Sequence, residues 1–155
     1  GVHYFFRTRE AFEQLIAENR LLEYAEYNGN YYGTPEDAIK GWLNEGKNVL
    51  LEIEVQGAEQ VLNHRSDCVS IFITIPSIAE LERRLRERGT ETEEKICGRM
   101  AGVARRELGR AFRYDYVVLN DEVSEAVKRI HTIIDAEKMR YCRMENMIQE
   151  VLDEC

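Results

Sequence analysis

The hydrophobic positions change their rhythm near residue 47. Before it, aromatic and alternating runs dominate. Val2–Phe6 (VHYFF) is β-branched and aromatic and predicts a strand. Thr8 can cap a helix running to about Asn19, with Phe12, Leu15 and Ile16 at helical spacing. Leu21–Tyr27 predicts a strand, Asn28-Gly29-Asn30 a tight turn, and Tyr31-Tyr32 the start of the return strand. Thr34-Pro35-Glu36-Asp37 then reads as a helix start, with a hydroxyl cap, Pro at the first helical position and acids in the first turn. That helix is expected to turn Ala38, Trp42 and Leu43 inward and to stop near Gly46.

After residue 47, short apolar runs alternate with amphipathic helices. Asn48–Ile53 predicts a strand, and about Gly57 to His64 a helix. Val69–Ile75 (VSIFITI) has the near-continuous apolar character of a strand buried on both faces of a parallel sheet. Ser77-Ile78-Ala79-Glu80 and Thr90-Glu91-Thr92-Glu93 are capping boxes that open two further helices. Tyr116–Leu119 is another buried strand, and from Glu122 onward one long helix is expected. Its apolar stripe runs through Val123, Val127, Ile130, Ile134, Tyr141, Met144, Ile148 and Val151. In this reading the first half of that helix packs on the sheet while its tail frays or covers a neighbour; the alternative is a coiled-coil homodimer. The alternation predicts a three-layer α/β fold around a parallel sheet, with the N-terminal hairpin as a small β-rich lobe.

With 44% hydrophobic and 32% charged residues, the 155-residue chain can build one domain's core, which excludes global disorder. Lys and Arg number 21 against 29 Asp and Glu, a net charge of −8. Such a chain is ill suited to coating nucleic acid or an anionic membrane, so any phosphate must meet a local cluster of arginines. No apolar run approaches the roughly 20 residues of a membrane-spanning helix. Cys68, Cys97, Cys142 and Cys155 form no CxxC pair, and His3, His64 and His131 have no metal-ligand spacing. Scattered thiols suit a reducing, cytoplasmic setting. The opening Gly-Val-His, entering an aromatic run at once, reads as a piece of a longer chain.

Three groups of residues could carry chemistry. Glu23, Tyr31, Tyr32 and Thr34 gather on the hairpin around Gly33, a glycine that leaves room for a ligand; a solvated tyrosine-rich hairpin is the plainer alternative. Glu52 and Glu54 lie two apart at the end of a predicted strand, hence on one face, where open α/β sheets place ligands. Two like charges there need cations or ligand donors, unless the strand end is simply solvated. The third group is Arg83, Arg84, Arg86 and Arg88 before Gly89, with Arg99 on the next helix. Arg84 and Arg88, four apart, can reach one object beside a glycine hinge. Otherwise the arginines form a solvated face paired with Glu80, Glu82 and Glu87. Carboxylates, hydroxyls and a movable arginine clamp together suit phosphoryl transfer, which is mostly positioning and charge neutralisation.

At this point the sequence resembles the guanylate kinase family. The strings that carry the likeness are His3-Tyr4-Phe5-Phe6, Leu22-Glu23-Tyr24-Ala25, Gly29-Asn30-Tyr31-Tyr32-Gly33-Thr34, Leu51-Glu52-Ile53-Glu54-Val55-Gln56-Gly57-Ala58, Arg84-Leu85-Arg86-Glu87-Arg88-Gly89 and Val118-Leu119-Asn120-Asp121. They stand in the family's order across nearly the whole chain.

The resemblance implies a P-loop-kinase-like parallel sheet with a small mixed-β GMP-binding lobe (1–46), a core (47–82 and 100–155) and a helical lid (83–99). It implies transfer of the γ-phosphoryl of ATP to GMP with Mg²⁺. Tyr4 and Tyr32 would hold the GMP phosphate, Glu23 and Thr34 would read guanine, and Glu54 would complete that pocket. Arg84, Arg88 and Arg99 would neutralise phosphates, Asn120 would sit beside the adenine, and Glu52 near magnesium and its waters. The run Gly102–Arg110 carries one residue more than the family spacing, leaving Arg105 and Arg106 without a role.

Base choice also follows from chemistry. Guanine offers N1–H and N2–H₂ side by side to a carboxylate, and a hydroxyl can donate to O6. Adenine puts a lone pair at N1 and would leave a buried Glu23 unpartnered. No G-x-x-x-x-G-K-[ST] phosphate loop occurs in the 155 residues, nor the family's Arg-rich GMP-phosphate segment, so poor turnover by this chain alone is expected. The alternatives are a non-catalytic guanylate-kinase-like module that binds phosphopeptides, and a kinase for another nucleoside monophosphate.

Overall fold

The Thr8 hydroxyl accepts the Ala11 N–H at 3.3 Å and starts the first helix, α1 (Arg9–Ala17), as its position before an apolar-periodic run requires. The computed structural model describes residues 4–27, 29–90, 92–98, 100 and 104–154. They form two compact units, Gly1–Cys68 and Val69–Cys155.

In the first unit, β1 (Leu21–Tyr27) and β2 (Asn30–Pro35) pair antiparallel, with Glu23 opposite Thr34 and Ala25 opposite Tyr32. The register slips between Leu21 and Glu23. α1 lies on this hairpin through Phe12, whose ring stacks on Tyr31 at 5.3 Å. A Cβ on Gly33 would come within 2.7 Å of the Glu23 carbonyl and 3.0 Å of Phe12. Protein therefore fills the space on the Cβ side of Gly33.

α2 (Glu36–Asn44) and α3 (Val55–His64) follow. Pro35, not Thr34, is the N-cap of α2, and it supplies no side-chain cap; Thr34 stays in β2 and spends its hydroxyl elsewhere. The helix also turns further than its apolar residues suggest, burying Ile39 and leaving Ala38, Trp42 and Leu43 exposed. Leu22, Ile39 and Val61 make the core, with Val49, Leu51, Ile53 and Cys68 packed against it.

Two predicted strands are absent among the described residues. Tyr4–Phe6 has no ladder partner and is exposed, and Val2 and His3 lie outside the described residues. Asn48–Ile53 is likewise unpaired, although its odd positions face the core while Leu50 is 83% exposed. Alternation records only which side is apolar, whereas a strand also needs a neighbour to bond.

The second unit is built on β3 (Ile71–Thr74) and β4 (Tyr116–Leu119), paired in parallel with Phe72 beside Val117. Asp115 joins their starts by accepting from the Ser70 N–H and hydroxyl at 2.8 and 2.7 Å. Phe72 and Val118 are buried, but Ile73 and Val117 are more than half exposed, so one face is covered rather than the two expected. α4 (Ile78–Arg88) begins at the Ser77 hydroxyl, which accepts the Glu80 N–H, and ends at Gly89 in the left-handed conformation. The reciprocal half of this capping box is missing because the Glu80 carboxylate turns to Arg83 and Arg84. α5 (Glu93–Gly98) packs on α4 and buries Ile96; Glu91 of the second box lies outside the described residues. α6 (Ala104–Leu108) and a 3₁₀ turn (Ala111–Arg113) lead to β4.

The expected single C-terminal helix is two, α7 (Val123–Lys138) and α8 (Tyr141–Asp153). The break falls where Glu137, buried at the end of α7, accepts the Tyr116 hydroxyl at 2.6 Å and faces Arg140 and Arg143 at 3.3 and 3.5 Å. Drawing Arg140 back onto Glu137 leaves it as the extended N-cap of α8.

Candidate active site

The hairpin register sets Glu23 and Thr34 face to face, and the Thr34 hydroxyl donates to Glu23 Oε1 at 2.6 Å. Glu23 is 6% exposed. Such a buried carboxylate needs donors, and Thr34 supplies one. Its second oxygen, Oε2, lies against Gly57 of α3, where any Cβ would overlap it. The carboxylate is thus pinned between a hydroxyl on one strand and a bare stretch of helix.

Glu23 and Thr34 open into one cavity of about 320 Å³. Tyr4, Tyr32, Glu52 and Glu54 also line it, so the six residues to which the resemblance gives a role in this half come together, while Tyr31 stacks on Phe12 instead. Glu54 is the extended N-cap of α3, which sets a carboxylate at the positive end of a helix. The lining carries three carboxylates and neither lysine nor arginine among the described residues. No group of three His, Cys, Asp or Glu side chains suits direct metal ligation among them.

The second unit sorts the arginine cluster. Arg83 is spent on Glu80 and Glu87, and Arg86 on Glu82 and Glu93, as the solvated-face alternative supposes. Arg84 differs: its guanidinium bonds Glu80 at 2.6 Å and the carbonyls of Asn120 and Asp121 at 2.9 and 3.0 Å. Arg88 is exposed, with no ion-pair partner among the described residues. Arg99 lies outside the described residues.

Asn120 ends β4, its N–H bonded to the Thr74 carbonyl at 2.7 Å. Its Oδ1 is buried and accepts no hydrogen bond among the described residues. Asp121 is held by Arg129 and by the Glu122 N–H, which lower its pKa to about 2. Hydrogen bonds from Arg83 and Arg84 bring Glu80 to about 2 as well.

Comparison with known proteins covers both units. The guanylate kinase family model matches residues 1–137. The chain belongs to the guanylate kinase family. It is 51% identical over 150 residues to a guanylate kinase of Shouchella clausii, covering 97% of this chain and 71% of that protein. A guanylate kinase of Halalkalibacterium halodurans is 50% identical, with 97% and 72% covered. The crystal structure of guanylate kinase from Anaplasma phagocytophilum superposes with a TM-score of 0.72 at 36% identity, over 92% of this chain and 69% of that one. Its fold class is therefore that of the α/β kinases, and its family activity is phosphorylation of GMP by ATP. Both nucleotides are substrates of the family, and Mg²⁺ is used generally with ATP in it. No helix among the described residues is long and apolar enough to cross a membrane.

Two contributors escaped the sequence reading. Gly57 stood in the matched strings without a role, although a glycine in the first turn of a helix signals close approach. Gln60, which bonds the backbone beside Glu23, gave no signal at all.

Proposed function

We propose that the cavity of the first unit is the GMP pocket of this kinase and that Glu23 and Thr34 choose the base. The observation that supports this most is the buried Glu23 carboxylate with the Thr34 hydroxyl on it, both lining one cavity. Guanine N1–H and N2–H₂ donate to Glu23 while Thr34 turns its proton from Oε1 to O6. The hydroxyl has an acceptor before and after, so the exchange strands no donor. Tyr4 and Tyr32 donate to the phosphate, and Glu54 closes the pocket.

On the ATP side, the buried acceptor of Asn120 suits the exocyclic amine of adenine. Arg88, exposed and without an ion-pair partner among the described residues, meets phosphate oxygens, and the family pattern gives Arg99 the same role. Arg84 reaches them by trading two backbone carbonyls for stronger, charged acceptors. The exposed Glu52 carboxylate would hold magnesium through waters, which that ion sheds reluctantly, and the ion would supply neutralisation of phosphate charge. Scattered thiols suit a reaction in the reducing cytoplasm.

Calorimetric titration with GMP and AMP tests the base assignment. Glu23→Gln keeps one acceptor but turns a donor toward N1–H. It should weaken GMP binding by roughly tenfold to a hundredfold and shrink the preference over AMP. An unchanged preference for GMP would sink the assignment.

A further inference from the structure

β1 bonds β2 along one edge, and α3 lies against it. There the side-chain amide of Gln60, on α3, meets the backbone of Tyr24 in both directions. The Tyr24 N–H donates to Gln60 Oε1 at 3.1 Å, and Gln60 Nε2 donates to the Tyr24 carbonyl at 2.6 Å. The same nitrogen also reaches the Gln56 carbonyl at 3.3 Å. A primary amide carries the donor and acceptor of a peptide unit side by side, so Gln60 does for β1 what one residue of a third strand would do.

Tyr24 follows Glu23 directly, and Gly57 stands one helical turn before Gln60 on the same side of α3. The two α3 residues act on the same target in different ways. Gly57 sets how near the helix comes to Glu23 Oε2, and Gln60 ties the helix to the backbone from which Glu23 projects.

We infer that Gln60 is a positioning residue for guanine selectivity, holding the Glu23 carboxylate in line without touching the base. The inference rests on the reading of Glu23 as the base-reading carboxylate. Two donors from guanine must meet two carboxylate oxygens together, and a displacement near 1 Å is enough to lose about a hundredfold in well-aligned chemistry. A clamp on the neighbouring peptide is the kind of support such alignment needs.

The test compares GMP with inosine monophosphate, which keeps O6 and N1–H but lacks the 2-amino group. The ratio of their affinities therefore reports how well both carboxylate oxygens are aimed. In Gln60→Leu, of similar size but without amide groups, amide hydrogen exchange at Tyr24 should quicken, and the GMP-to-inosine ratio should fall by about tenfold, the equivalent of losing one or two hydrogen bonds. Gln60→Glu keeps the acceptor for the Tyr24 N–H and sets a carboxylate against the Tyr24 carbonyl; it should lower the ratio in the same direction and serves if the leucine variant folds poorly. A merely structural role would lower the unfolding temperature and leave the ratio unmoved. A ratio that depends on Glu23 yet survives both Gln60 variants overturns this inference alone. A wild-type ratio that Glu23→Gln leaves intact overturns the guanine reading, and this inference with it.

Discussion

Glu23 is held where only a glycine lets a helix approach it. At Gly57 an added methyl would overlap Oε2 and sit 3.2 Å from the carboxyl carbon. Helix propensity alone argues the other way, since Gly→Ala inside a helix ordinarily stabilises by about 0.5–1 kcal/mol. The collision is with a buried group that is itself hydrogen-bonded to Thr34, so it cannot simply swing into water. Either the carboxylate leaves its place or α3 backs away from β1. Gly57→Ala should therefore lower stability by about 1–3 kcal/mol, in the range of other overpacked sites, and weaken GMP binding together with it. Denaturant unfolding and GMP titration on one preparation check both. A variant that is more stable and binds GMP normally would show that the carboxylate has slack the structure does not display.

At the level of elements, α4 and the segment after β4 are fastened by ion pairs at exposed positions. Glu80 falls from an ordinary 4.5 to about 2 because Arg83 and Arg84 hydrogen-bond its charged form. Asp121 falls from 3.8 to about 2 through Arg129. A carboxylate depressed on folding stabilises above its unfolded pKa, and that stability drains away as pH drops through the folded value. Thermal unfolding followed by circular dichroism should show Glu80→Gln less stable than the parent well above pH 4.5. The gap should close as pH approaches 2 and narrow with added salt; a constant gap would deny Glu80 this role. Elements with local signals were legible in the sequence: the Thr8 and Ser77 caps and the turn through Gly29 between β1 and β2, of which Asn28 lies outside the described residues. The turn also fixes which strand residues face each other, so the Glu23–Thr34 pairing could be read in advance. Features that depend on a partner elsewhere could not. Asn48–Ile53 alternates without a ladder, Thr34 leaves its cap for Glu23, and Glu137 breaks the long helix by gathering Tyr116 and Arg140. Arg84 looks like Arg83 in sequence; only the carbonyls of Asn120 and Asp121 tell them apart.

At the scale of the molecule, charge is unevenly shared. Of the net −8, the larger part lies in residues 1–68, which hold six Lys and Arg against twelve Asp and Glu. The cavity in that unit repeats the imbalance, with Glu23, Glu52 and Glu54 in its lining and no cation among the described lining residues. In the proposed pocket, guanine would neutralise part of this through its donors to Glu23, but a phosphate dianion would meet Glu52 and Glu54 with the Tyr4 and Tyr32 hydroxyls to receive it among the described lining residues. Two unit charges about 7 Å apart in water repel by about 0.6 kcal/mol, and several such pairs add to a visible penalty at low ionic strength. Guanosine, which keeps the base contacts and lacks the charge, should therefore bind this chain at least as well as GMP in dilute buffer. Raising ionic strength from about 0.02 to 0.3 M shortens the screening length to below the cavity's own dimensions and should strengthen GMP two- to fivefold while leaving guanosine almost unchanged. GMP binding tighter than guanosine at low salt, and weakening as salt rises, would overturn the expectation that this acidic cavity receives the phosphate on hydroxyls alone.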